Sequence, residues 1–88
     1  MKAIVTVVGK DNTGIVAGVA NKLATLNINI DDISQTVLDG YFTMMAMVST
    51  DEKVDFTVVR QDLEAFGQEL NVKINIQSTA IFDAMHNL

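Results

Sequence analysis

The sequence predicts an α+β fold in which a four-stranded antiparallel sheet carries two helices on one face. Three observations lead there. Apolar residues switch between two-residue and helical spacing in the order βαββαβ. Segments 2–8 and 41–49 are apolar on both parities, which suits strands in the middle of a sheet. Asp39-Gly40 lies between two apolar runs and is a hairpin turn signal.

Residues 2–8 (Lys2-Ala3-Ile4-Val5-Thr6-Val7-Val8) read as the first strand. Ala3, Val5 and Val7 share one parity, Ile4 and Val8 the other. The helix over 14–26 follows, with Ile15, Val19, Leu23 and Leu26 at spacings of four, four and three. Val16 and Ala20 widen that stripe. Gly18 inside it costs ~1 kcal/mol against alanine, which close packing against a strand or another chain would justify. Asn27 suits a left-handed exit.

Residues 28–38 read as a second strand with a fault. Ile28 and Ile30 share one parity, Ile33 and Val37 the other, and a bulge at Asp31-Asp32 restores them to one face. The third strand runs from Tyr41 to Ser49, with Phe42, Met44, Ala46 and Val48 on one face and Thr43, Met45 and Met47 on the other. After a polar loop over 50–54, Asp55 is placed to cap a second helix. Phe56, Val59, Leu63, Phe66 and Leu70 repeat along it at three, four, three and four. Residues 72–78 alternate strictly, Val72, Ile74 and Ile76 against Lys73, Asn75 and Gln77, as a strand with one wet face does. Ala80 to Asn87 has room for a short C-terminal helix, with Ile81, Phe82 and Met85 on one side.

Right-handed crossovers and the hairpin turn this order into the ferredoxin-like sandwich with strand order 4-1-3-2. The sheet face without helices then keeps apolar groups, Met45 and Met47 among them. Either the C-terminal helix or a second chain would cover them. A homodimer is expected, with the strand-two edge and the first helix as the contact.

Composition removes many functions. The 88 residues suit one small domain, 1–88, and nearly half are apolar (49%). There is no cysteine, so no disulfide, thiolate metal site or thiol nucleophile. The net charge of −5, with six scattered lysines and arginines, argues against nucleic acid. No apolar run approaches the ~20 residues of a membrane span, and the N-terminus does not read as a signal peptide. A cytoplasmic protein is expected. One histidine, His86, has no partner beside it in sequence, and no carboxylate pair is singled out by spacing. No catalytic residues, no metal ligands and no cofactor are expected.

One stretch exceeds what folding requires. Gly9-Lys10-Asp11-Asn12-Thr13-Gly14-Ile15 carries the chain from a strand to a helix N-terminus. The unpaired N–H groups and the dipole there suit a carboxylate or phosphate. Equally, Asp11 or Thr13 can cap the helix and bind nothing.

That stretch, with Leu23-Ala24 and Asn27-Ile28-Asn29-Ile30-Asp31-Asp32-Ile33-Ser34-Gln35, closely resembles the ACT domain. Over its whole length the chain is similar to the small stand-alone ACT-domain proteins of bacteria, the UPF0237 family. One departure is visible: Thr13 stands where many members carry proline. The resemblance implies regulatory binding of a small molecule, most often an amino acid, between the first loop of one subunit and strand two of its partner. Matched by motif, the ligand-binding positions are Asp11, Asn12, Thr13, Gly14 and Ile15 on the loop, and Asn29 and Ile30 on the strand, with Asp31 beside them. The helix N–H groups would take the α-carboxylate, and Asp11 or an asparagine the ammonium. Two functions follow. One is a stand-alone dimeric sensor of an amino acid. The other is a ligand-free interaction module that docks on a metabolic enzyme or regulator.

Overall fold

β1 (Lys2–Gly9) runs through the middle of the sheet, because both of its neighbours pair with it along nearly its whole length. The computed structural model describes residues 1–10, 14–51 and 53–80. The order is β1, α1 (Ile15–Thr25), β2 (Asn29–Leu38), β3 (Tyr41–Ser49), α2 (Phe56–Leu70) and β4 (Lys73–Ser78). The four strands are antiparallel neighbours in the order β2-β3-β1-β4, the expected ferredoxin-like arrangement. The helix foreseen over 80–87 lies beyond the described residues except at its start, where Thr79 and Ala80 are helical.

The two-sided apolarity of β1 resolves into one dry and one wet face. Ala3, Val5 and Val7 are buried with Phe42, Met44, Ala46 and Val48 of β3 and Ile74 and Ile76 of β4. Ile15, Val19 and Leu23 of α1 and Val59 and Leu63 of α2 close that core from the other side. Ile4, Thr6 and Val8 point to the open face, beside Met47, Met45 and Thr43. The N-terminal end of β1 is extended by Met1, whose ammonium donates to the Thr50 carbonyl and whose carbonyl accepts from Thr50 N, both at 2.8 Å.

Asp39 and Gly40 make a two-residue turn with φ +52° and +83°, both positive as a type I′ hairpin requires. The bulge in β2 is at Asp31: Ile30 pairs with Val48 and Asp32 with the next residue, Met47. Ile30 and Ile33 thereby face the same side, as their neighbours Val48 and Ala46 do. The helices nevertheless leave β2 largely bare. Only Ile30 is half-buried along it, and Val37 remains 62% exposed.

α2 begins as expected. Asp55 Oδ1 accepts from Thr57 N at 3.0 Å and from Val58 N at 3.4 Å. It ends through Asn71 at φ +60°, after which Val72 N donates to the Gly67 carbonyl at 2.9 Å. A Cβ on Gly67 would lie 2.8 Å from the Val72 carbonyl oxygen, so this close return requires glycine. Gly18 differs from expectation. It faces Phe66 and Leu70 of α2 rather than a strand. A Cβ there would meet them at 3.5–3.6 Å, an ordinary contact.

Candidate ligand site at the two ends of the sheet

α1 starts from Gly14, and this corrects the expected cap. Gly14 is itself the N-cap, in the left-handed region at φ +73°, and its carbonyl accepts from Gly18 N at 2.9 Å. A glycine has no side chain to cap with, so the cap position offers no acceptor to the first-turn N–H groups. Its positive φ is the physical reason: the chain must turn sharply into the helix, and glycine does so without a Cβ clash. Asp11 and Thr13, the expected caps, lie outside the described residues with Asn12. Ile15 is 4% exposed and pins the start of the helix into the core.

The strand-two half is built at the other end of the same helix. Leu26 N donates to the Lys22 and Leu23 carbonyls at 3.1 Å, and Asn27 then turns the chain at φ +61°. Ile28 N returns to the Leu23 carbonyl at 2.9 Å while its side chain enters the core. Asn29 follows, exposed on the open face opposite Ser49, and Ile30 points half-buried to the helices. Asn29 Nδ2 donates to Asp31 Oδ1 at 2.7 Å, and Ser49 Oγ donates to the same oxygen at 3.1 Å. The bulge thus presents a carboxylate held by two donors. Asp32 instead turns back on its own strand, accepting from Ile33 N at 2.9 Å.

Ser49 was not among the residues expected from sequence. The signal was present nonetheless: counting pairs back from Asp39-Gly40 through one bulge sets Ser49 opposite Asn29.

Gly14 and Ile15 do not meet Asn29 and Ile30 within one chain. β1 and β2 both run antiparallel to β3, hence parallel to each other. The loop after β1 therefore leaves one end of the sheet, and Asn29 begins β2 at the other. Eight residues of β1 separate the two ends, roughly 23 Å at about 3.3 Å per residue. A cleft of about 610 Å³ opens at the loop end, lined by Gly9, Lys10, Tyr41, Gln68, Asn71 and Lys73 among others. Its walls come from the end of β1, the start of β3, the end of α2 and the start of β4.

Among the described residues no group of three His, Asp or Glu side chains is placed to hold a metal ion. No described helix is long and apolar enough to cross a membrane.

Comparison with known proteins agrees with the architecture. The ACT-domain family model matches residues 2–77. A UPF0237 protein of Streptococcus pneumoniae is 74% identical over 88 residues, covering 100% of both chains. The solved structure of an ACT domain protein from Streptococcus pneumoniae superposes with a TM-score of 0.88 at 76% identity, covering 93% of each chain. A putative glycine cleavage system transcriptional repressor has the same fold, with a TM-score of 0.81 at 17% identity over 86% of this chain and 45% of its own.

Proposed function

The chain belongs to the ACT-domain and UPF0237 families, and on that premise we propose that it is a regulatory domain, not an enzyme, which senses an amino acid as a homodimer. Its ligand lies between Asp11, Asn12, Thr13, Gly14 and Ile15 of one copy and Asn29 and Ile30 of the other.

The separation of the two half-sites supports this reading. In one chain they sit at opposite ends of the sheet, too far apart to touch one small molecule. Antiparallel association of two β2 edges reverses the direction of the second strand. Asn29 of the partner then lies at the end from which the first copy's loop leaves. Each copy brings half of two equivalent sites, as a two-fold interface demands. The bare edge and exposed side chains of β2 suit such a contact.

The chemistry of the halves is complementary to a zwitterion. The start of α1 offers N–H groups and the positive end of the helix dipole to a carboxylate. The Asn29–Asp31–Ser49 cluster offers a carboxylate and an amide oxygen to an ammonium.

Calorimetric titration of each free amino acid into the protein tests this. Heat is expected from one amino acid or a few related ones, and is lost in Asp11→Ala and in Asn29→Ala. An absence of heat from every amino acid would sink the proposal.

A further inference from the structure

The sheet face opposite the helices carries an apolar strip that the proposed site does not use. Met47 lies beside Ile4, and Met45 beside Thr6. Met45 is 49% exposed, Met47 36% and Val8 42%. A shallow cavity of about 180 Å³ opens in this strip, with Ile4, Met45 and Met47 among its walls and Asp32 at its edge.

The described chain stops at the edge of β1, two strands from β3 and at the end of the sheet where Ile4 lies. Ser78 pairs with Ala3, Thr79 Oγ1 donates to the Lys2 carbonyl at 3.3 Å, and Ala80 follows. The next residue of β1 on the open face is Ile4 itself. Beyond Ala80 the sequence continues Ile81-Phe82-Asp83-Ala84-Met85-His86-Asn87-Leu88, in which Ile81, Phe82, Met85 and Leu88 are large and apolar. Their spacing of one, three and three gathers them on one side of a helix.

The reach is sufficient. From β4 across β1 to β3 is two strand spacings, roughly 10 Å. Eight residues extend about 12 Å even when helical. The helix-covered face offers no competing place, because Val5, Ala46, Val48 and Ile76 are already sealed there at 0–1% exposure.

We propose that residues 81–88 fold back over the open sheet face of their own chain and seat Phe82 and Met85 against Ile4 and Met47. The occupant is the chain's own C-terminal segment, not a second copy and not a foreign protein.

The absence of cysteine makes the test clean. Met47→Cys is combined with Phe82→Cys in one full-length protein and with Met85→Cys in another, and both are oxidised gently. An intramolecular disulfide, seen as loss of free thiols at the mass of one chain, is the expected result from at least one pair. A disulfide joining two chains overturns the assignment in favour of a second copy. Peroxide oxidation of Met45 and Met47, followed by peptide mass spectrometry, gives a readout that needs no new bond. Both are expected to oxidise several-fold faster in full-length Phe82→Asp than in the unmodified protein. Equal rates, with no disulfide from either pair, overturn the proposal outright.

Discussion

Three glycines of this chain answer to different physics, and substitution separates them. Gly18 lies within α1 with room for a methyl group against Phe66 and Leu70. Gly18→Ala is expected to stabilise the protein by about 0.5–1 kcal/mol, the ordinary preference of a helix interior for alanine. Gly67→Ala sets a Cβ against the Val72 carbonyl and is expected to cost about 1–3 kcal/mol as the turn into β4 is displaced. Urea unfolding of both variants measures the pair, and a loss of stability in Gly18→Ala would contradict the packing described. Gly14 is fixed by neither packing nor propensity but by its φ of +73°. The sequence showed all three as glycines in or beside helical patterns and could not rank them. A left-handed φ and an approach across space leave no mark in local spacing. Asp55 was legible because its capping role is local: an acceptor stands just before the first apolar-periodic residue, and its oxygen reaches N–H groups two and three positions on.

Among the elements, β2 carries the largest difference between pattern and exposure. Its bulge was readable, since Ile30 and Ile33 reach one face only if one residue is left out of the ladder, and Asp31 is that residue. Their facing side suggested core, yet Ile33 and Val37 are exposed. Strand parity reports which face a side chain points to. It does not report how far a helix extends over an edge. This exposure gives the proposed dimer a direct test. Ile33→Lys combined with Val37→Lys changes two residues that the single chain leaves in water, so the circular dichroism of the fold should persist. The mass by light scattering is expected to fall from two chains to one. A mass unchanged at two chains would remove the β2 edge from the interface.

At the scale of the whole molecule, a site divided between copies predicts complementation. Asp11→Ala and Asn29→Ala should each abolish ligand binding alone. In their mixed dimer one site carries both changes and the other carries neither. With random exchange about half of the dimers are mixed, so about a quarter of the native sites should return. Calorimetric stoichiometry of the re-equilibrated mixture reads this directly, and no recovery would overturn the division of the site between copies. The fold itself was legible down to strand order, because the two-sided apolarity of β1 and β3 and the alternation of β4 assign the centre and an edge independently. The separation of Gly14 from Asn29 at opposite ends of the sheet was not legible from spacing. It depends on β1 and β2 running parallel, which follows only once both are paired to β3.

The central place of β1 also governs how quickly the chain can find its structure. β1 is made before the other three strands of its sheet and has no near partner in sequence. Its closest ladder pair is Gly9 with Phe42, and its farthest is Ala3 with Ser78. The sheet is therefore completed only when β4 is made, and loop closure rather than local propensity sets the rate. The sequence has no proline, so refolding lacks the peptide-bond isomerisation that delays many domains by tens of seconds or more. Stopped-flow refolding should give one exponential on the millisecond-to-second scale. Any further phase should quicken with protein concentration, marking the meeting of two already folded copies.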